Sequence, residues 1–230
     1  MFIPIHDDTP HHVIRFQWVA GVIMLANLAL FIFTRYGLGG EAGEMALLSH
    51  YGMTPLLLLH LGDAAPGLSE VPASLTLLTY SFLHGGWGHV LTNILFIWVF
   101  ADNVEDAFGH AGFAIFYVLC AIAAGLAHAL MLPESDQPLV GASGAVGGIL
   151  AAYLVLFPRA RVWVLLFLRI PLRLPAWLLL AGWIGVQVAG LLLVEPRGVA
   201  VAWWAHIGGF GTGLALTLLL RGRLITQNPP

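Results

Sequence analysis

Long apolar runs recur along this chain, separated by shorter segments that are rich in glycine, proline and acidic residues. A bilayer core about 30 Å thick needs about 20 predominantly apolar residues for each helical crossing. Several of the runs approach that length, so they constrain the chain to fold within a membrane. Hydrophobic residues make up 59% of the sequence and charged residues only 9%. This is too little charge to cover a water-facing surface, which excludes a soluble enzyme and a disordered protein.

The runs predict an all-α, polytopic membrane protein whose six transmembrane helices form one membrane domain over residues 16–223. A polar cytoplasmic leader, residues 1–15, precedes this domain, and a short C-terminal tail, residues 224–230, follows it. The leader has no basic segment and the first run has no small-residue cleavage site, so we expect a retained helix. Apolar pieces within residues 36–88 are too short to cross, and we expect them to lie in the interface or to re-enter. The predicted spans are residues 16–33, 89–107, 113–132, 145–157, 174–194 and 200–220.

The distribution of arginine predicts the orientation, because cytoplasmic loops of membrane proteins are enriched in basic residues. Six spans place both termini on the same side of the membrane. If that side is the cytoplasm, only Arg35 and Arg197 of the nine basic residues lie outside. The sequence therefore predicts cytoplasmic termini in a multi-pass protein of the cell membrane. The short extensions and the lack of a targeting leader favour a bacterial plasma membrane.

Polar side chains inside a bilayer are costly and are candidates for function. The fourth span ends at the cytoplasmic side and is too short to cross the whole bilayer core. Ser143 comes just before this span, so we expect it about 10 Å below the outer surface. His206 lies at a similar depth, about 10 Å into the sixth span from its outer end. His89 and Asn93 begin the second span from the same side, and their i, i+4 spacing puts them on one helix face. All four side chains are therefore expected to converge in the outer leaflet.

The segment Val140-Gly-Ala-Ser143-Gly144-Ala places a serine where a loop becomes a helix. The free N–H groups of a helix start can hold a negatively charged oxygen. Small residues at intervals of four on the fourth and sixth spans would let the two helices approach closely enough for a Ser–His hydrogen bond. No acidic residue lies at this depth, so the residues predict a Ser–His dyad in which His206 acts as general base and then acid. The small residues are Gly144, Gly148, Ala205, Gly209 and Gly213.

Three motifs in this order resemble those of the rhomboid intramembrane serine proteases. They are His84-Gly-Gly-Trp-Gly-His89-Val-Leu-Thr-Asn93, Gly141-Ala-Ser143-Gly144 and Ala205-His206-Ile-Gly-Gly209. The resemblance extends over nearly the whole chain after the leader, and it implies a rhomboid-like bundle. It also implies cleavage of transmembrane substrates near their outer ends, reached through a water-filled cavity.

The resemblance assigns roles to particular residues. It implies Ser143 as the nucleophile and His206 as the base, with an oxyanion site formed by His89, Asn93 and the backbone N–H of Ser143. Gly144 follows the serine in the motif, and His84 is a candidate supporting residue that fits a structural hydrogen bond as well as a role in catalysis. Several members carry an aromatic residue four positions after the serine, where it packs on the catalytic histidine. This chain has Gly147 at that position.

Four other functions compete with a protease of this kind. A metalloprotease would draw zinc ligands from His84, His89 and His206, but the chain contains no HExxH motif. An aspartyl intramembrane protease needs two acids within the spans, and no acid lies in the middle of any predicted span. A transporter or channel would usually contain internal repeats, and the sequence shows none. A non-catalytic rhomboid-like binding protein has no need for both Ser143 and His206. We therefore expect no cofactor, no metal and no nucleic acid, with transmembrane protein substrates and the lipid bilayer as partners, and we assign Gln187 to packing or interhelical contact.

Overall fold

The computed structural model describes residues 2–10, 13–38, 40–59, 71–166, 169–193 and 202–227. This part of the chain is mostly helical, which confirms the all-α class. Helices α1 to α4 are Trp18–Ile32, Glu41–Tyr51, Pro55–Leu59 and Ala73–Thr79, and a π-helical turn, Phe33–Gly37, extends α1. Helices α5 to α9 are Trp87–Phe108, His110–Met131, Ser143–Leu156, Ala176–Leu193 and Trp203–Gln227. Strands β1 to β3 are Phe2–Asp7, Arg161–Leu166 and Ile170–Pro175.

Each of the six predicted spans overlaps one helix of the structure, α1 or one of α5 to α9. In the described part of the chain, four helices are long and apolar enough to cross a membrane: α1 with its π-helical turn, α6, α8 and most of α9. Helix α7 has only 14 residues. Helix α5 has 22 residues but ends in an acidic segment that contains Asp102, Glu105 and Asp106. The protein is thus a multi-pass membrane protein, while the count of six spans stays a prediction.

Helix α7 lies at the centre of the bundle. Its residues from Gly144 to Tyr153 are all buried, and it packs against α5, α6, α8 and α9. A helix that is apolar around its whole circumference is found in the core of a protein or within a membrane. The four helices that pack against α7 are all longer than it, so α7 is enclosed by protein along its sides.

A small antiparallel sheet covers one end of the bundle, and the sequence patterns did not predict it. Its strand order is β1-β2-β3. Strand β1 comes from the polar leader and pairs with β2 in a register that joins Ile3 to Leu165. Buried Asp7 accepts a hydrogen bond from Asn103 of α5 at 2.9 Å and another from Tyr153 of α7. The leader therefore belongs to the folded unit, and the domain boundaries at residues 15 and 223 stay predictions.

Two acids at the end of α5 cap the start of the chain's first helix. Glu105 is fully buried and accepts hydrogen bonds from the backbone N–H groups of Val19 at 3.0 Å and Ala20 at 2.7 Å. Asp106 accepts from the N–H groups just before α1, those of Val13 and Ile14. The first N–H groups of a helix have no partner within it, so these carboxylates supply one from another helix.

The bundle therefore has two distinct ends. The sheet, the start of α1 and the ends of α5 and α7 lie at one end. The start of α7 lies at the other, beside the turn after α4 and the segment between α6 and α7. There, Met53 and Leu139 form a two-way backbone bridge, with N–H to O distances of 3.0 and 2.8 Å. Helices α2 to α4 account for part of residues 36–88, whereas residues 60–70 and Arg197 lie outside the described residues.

Candidate active site

Ser143 is the first residue of α7, and His206 lies in the first turn of α9. His206 Nε2 and Ser143 Oγ are 2.8 Å apart, a hydrogen-bond distance. The two residues are separated by 63 positions in the chain, so only the packing of α7 on α9 brings them together. A serine hydroxyl that donates to an imidazole can be deprotonated as it attacks a carbonyl carbon.

The contact between α7 and α9 is a backbone-to-backbone contact made by glycines. A Cβ at Gly209 would overlap the carbonyl oxygen of Gly144, and a Cβ at Gly213 would overlap that of Gly148. Each pair is one helical turn from the next, as expected for small residues repeated every four positions. The predicted small-residue faces are confirmed, and they set the spacing that allows the Ser143–His206 hydrogen bond.

The loop before Ser143 is held in a conformation that requires glycine. Gly141 has a φ of +121°, in the left-handed region, and its N–H donates to the carbonyl of Tyr80 at 2.9 Å. A Cβ at this position would lie 2.5 Å from His89 Nε2. The imidazole of His89 therefore packs directly against the loop, two residues before the serine.

His84 supports the same loop from the turn before α5. Its side chain is fully buried, and the N–H of Ala142 points to its Nε2 at 3.5 Å. The rings of His84 and His89 are in edge contact, with centroids 4.9 Å apart. Burial, together with the nearby His89, lowers the pKa of His84 to about 3. His84 is therefore neutral at physiological pH, and its Nε2 can accept the Ala142 N–H.

Asn93 and His89 lie one turn apart on α5. Asn93 is buried, and its Nδ2 donates to the carbonyl oxygen of His89 at 3.1 Å. An amide NH₂ group has two hydrogens, so a second one remains for another acceptor. His89 thus lies beside the loop before Ser143, and its carbonyl oxygen orients the Asn93 amide. The backbone N–H groups in the first turn of α7, beginning with that of Ser143, are further hydrogen-bond donors at this site, because the first N–H groups of a helix have no acceptor within it.

Helix α8 contributes two residues to the surroundings of His206. Gln187 Oε1 lies 2.7 Å from His206 Nδ1, and the Trp183 ring lies 5.8 Å from the imidazole, centroid to centroid. The sequence predicts packing or an interhelical contact for Gln187, and the structure shows an interhelical contact; no sequence pattern singles out Trp183. One signal was present, since Gln187 lies six residues before the end of α8, about 9 Å along the helix. That is close to the depth predicted for Ser143 and His206.

Within the described residues, no group of three or more His, Cys, Asp or Glu side chains is arranged to hold a metal ion. His84 and His89 contact each other through their rings. His206 is engaged through both ring nitrogens, with Ser143 on one side and Gln187 on the other. The three histidines considered as zinc ligands therefore have other contacts in this structure.

Comparisons with known proteins point to one family. The family model described as the Rhomboid domain matches residues 73–223. The chain is 36% identical over 80 residues to Rhomboid-like protein 11, chloroplastic, of Arabidopsis thaliana, which covers 35% of this chain and 28% of that protein. It is 28% identical over 149 residues to Rhomboid protein 1, mitochondrial, of Saccharomyces cerevisiae, covering 63% and 41% of the two chains. RHOMBOID-like protein 5 of Arabidopsis thaliana is 25% identical over 97% of this chain and 75% of its own length. The chain thus spans well under half the length of the first two relatives.

Proposed function

This chain belongs to the rhomboid family, and we propose that it is a serine endopeptidase that cleaves transmembrane proteins within the bilayer. The observation that carries the proposal is the 2.8 Å hydrogen bond between Ser143 and His206. Family membership implies intramembrane proteolysis in general. The Ser143–His206 dyad, the acyl-enzyme and cleavage near the outer leaflet are parts of our proposal.

The geometry supports a two-step mechanism. In the first step, Ser143 Oγ attacks the substrate carbonyl carbon while His206 Nε2 takes the hydroxyl proton. The tetrahedral intermediate collapses when His206 returns that proton to the leaving amine, which leaves an acyl-enzyme on Ser143. Water then attacks the ester carbonyl carbon while His206 takes one of its protons. His206 returns that proton to Ser143 Oγ as the ester bond breaks, which regenerates Ser143 and releases the second product with a free carboxylate.

The negative oxygen of each intermediate needs hydrogen-bond donors. We propose that the backbone N–H of Ser143, the His89 side chain and the second amide hydrogen of Asn93 supply them. His89 packs beside the serine loop, and Asn93 is tied to His89 one turn away. Gly144 and His84 play supporting roles: Gly144 permits the close approach of α9, and His84 holds the Ala142 N–H.

The experiment that tests the proposed function is active-site labelling. Purified protein in liposomes should cleave a model transmembrane substrate and react with a serine-directed fluorophosphonate. Mass spectrometry of the labelled protein should find one adduct, on Ser143. Cleavage with the adduct on another serine would overturn the assigned site, and neither cleavage nor labelling would favour a rhomboid-like protein that only binds its partners.

Loss of an oxyanion donor should slow the reaction without abolishing it. We expect Asn93→Ala and His89→Ala each to lower kcat by about 10²-fold, the low end of the usual range, because water can replace part of the lost donor. The double variant should lose less than the product of the two losses, since both donors act on one charge. Steady-state cleavage and the rate of phosphonate labelling are the measurements.

A buried asparagine elsewhere provides the control for these variants. Asn27 lies in α1 and is fully buried, so Asn27→Ala removes a similar amide outside the proposed oxyanion site. It should cleave at the wild-type rate per folded molecule. If the Asn93 and His89 variants also cleave normally once corrected for the folded fraction, the two residues only connect helices and the oxyanion assignment is wrong.

We propose that the termini are cytoplasmic and that Ser143 faces the outer leaflet. Arg161 and Arg173 lie on the sheet at the end of the bundle opposite the serine, and basic residues favour the cytoplasmic side. The acidic end of α5 is compatible with this orientation, because the carboxylates of Glu105 and Asp106 accept backbone N–H groups at and just before the start of α1 rather than facing water. The chloroplastic and mitochondrial names of the relatives lend no support to a bacterial plasma membrane.

Cysteine labelling in bacterial cells checks the orientation. In a Cys120→Ala background, Ser135→Cys should react with a membrane-impermeant maleimide added to intact cells, because residue 135 lies at the serine end of the bundle. Arg161→Cys should react only after the cells are lysed. The reverse pattern would place the active site in the cytoplasmic leaflet.

A further inference from the structure

Gln187 is the neighbour of His206 on the side away from the serine. Its side chain is buried, with 5% of its surface exposed. It lies on α8, whereas Ser143 and His206 lie on two other helices, α7 and α9. Its Oε1 lies 2.7 Å from His206 Nδ1, while His206 Nε2 lies 2.8 Å from Ser143 Oγ. Gln187, His206 and Ser143 therefore form one continuous chain of hydrogen bonds.

The orientation of the Gln187 amide is set by a second hydrogen bond. Its Nε2 donates to the carbonyl oxygen of Trp183, one turn earlier in α8, at 3.1 Å. The opposite orientation would place the amide oxygen against that carbonyl oxygen, and two acceptors repel each other. Because the NH₂ group must face the carbonyl, Oε1 faces His206 and can only accept a hydrogen bond from it.

This arrangement selects one tautomer of the neutral imidazole. A neutral histidine has a hydrogen on only one ring nitrogen, and its hydrogen-bond partners select which one carries it. An acceptor at Nδ1 favours the hydrogen there, which leaves the lone pair of Nε2 directed at the Ser143 hydroxyl. That is the form a general base needs. In the other tautomer, Nε2 would donate to Ser143 and could not accept its proton.

We propose that Gln187 is a positioning residue that holds His206 in its Nδ1–H tautomer, as the uncharged third member of a Ser143–His206–Gln187 array; this rests on the proposed protease function. Trp183 completes the support, because its ring contacts both His206 and Phe210. A Cβ at Gly147 would lie 3.4 Å from the Trp183 ring. The ring from α8 thus reaches the space beside position 147.

Replacing the amide with a thioether of similar size tests this role. Gln187→Met should lower kcat about 10- to 100-fold with little change in KM, because the substrate still binds while a smaller share of His206 is in the productive tautomer. Gln187→Glu keeps an oxygen facing His206 Nδ1 but sets its second oxygen against the Trp183 carbonyl, so it should recover only part of the lost kcat. The control is Val188→Met, the adjacent and partly exposed residue of α8, which should match the wild type.

A direct measurement keeps the proposal falsifiable even if a variant does not fold. The ¹⁵N signals of the His206 ring, identified by their loss in His206→Ala, should show the Nδ1–H tautomer in the wild type. In Gln187→Met they should shift towards a mixture of tautomers. Finding the Nε2–H tautomer in the wild type would overturn the proposal.

The kinetic results separate this proposal from the proposed function. If the wild type cleaves and Gln187→Met cleaves equally well, only the positioning role is wrong. If Gln187→Met merely unfolds at a lower temperature while its folded fraction cleaves normally, Gln187 is an interhelical contact and the proposal is again overturned. If the wild type neither cleaves nor reacts with the phosphonate, the protease assignment fails, and the ring signals still decide whether Gln187 selects the tautomer.

Discussion

Replacing Ser143 with alanine is expected to abolish cleavage of a model transmembrane substrate. The side-chain oxygen that forms the acyl-enzyme is gone, and His206 has no hydroxyl left to deprotonate. Losing the nucleophile of a Ser–His pair typically costs on the order of 10⁴-fold or more in kcat. Cleavage of a fluorescent substrate in liposomes measures the loss, and phosphonate labelling should disappear with it.

Ser135→Ala is the matched control for this change. Ser135 lies at the same end of the bundle, where its carbonyl accepts the N–H of Leu56 at 3.0 Å, and alanine preserves that backbone bond. This variant should keep both cleavage and labelling. Both variants should also unfold at the wild-type temperature in detergent. Full activity of Ser143→Ala would refute the serine protease assignment, and inhibition of the wild type by a chelator, reversed by zinc, would favour a metalloprotease.

Gly209→Leu is expected to prevent normal folding of the bundle. A side chain at this position would overlap the carbonyl group of Gly144, and a backbone group in a buried helix cannot move aside without shifting the helix. Overpacking of a well-packed core typically costs 1–3 kcal/mol, and more when backbone must move, so we expect about 3 kcal/mol or more here. The variant should unfold at a clearly lower temperature and lose activity, because α7 and α9 separate and the Ser143–His206 hydrogen bond is broken.

Another glycine of the same helix offers a matched control. Gly211 is exposed, and a Cβ there would meet no atom within 4 Å. Gly211→Leu makes the same chemical change on the outer face of α9 and should leave both thermal unfolding and cleavage close to those of the wild type. If Gly209→Leu behaves like Gly211→Leu, the contact between α7 and α9 does not depend on glycine.

Several features of the candidate site could be predicted because they depend on local spacing. The i, i+4 spacing of His89 and Asn93 on α5 is a property of any helix. The glycines of α7 and α9 recur every four residues, and that spacing alone predicted the interface that the structure contains. Depth along a helix, counted at 1.5 Å per residue, placed Ser143 and His206 at the same level.

Other features involve residues far apart in sequence whose own patterns carried no clear signal. Strand β1 lies in a polar segment and pairs with β2 about 160 positions later, so no local pattern in either strand indicates its partner. Nothing in the sequence near Glu105 and Asp106 indicates that their carboxylates accept N–H groups at the start of α1. Capping from another helix is visible only once the helices are packed.

By itself, the sequence determined that this chain is a mostly helical membrane protein with a serine at a helix start and a histidine at equal depth. Apolar length and glycine spacing are periodic along the chain, so they can be counted without knowing which helices are neighbours. Tertiary structure alone decided the partner of the second nitrogen of His206. Gln187 is one polar residue on one apolar helix, and either side of α8 could have faced the dyad. Packing of α8 beside α7 and α9 turned that side chain towards the imidazole, because a buried amide is stable only where both its oxygen and its NH₂ group find hydrogen-bond partners.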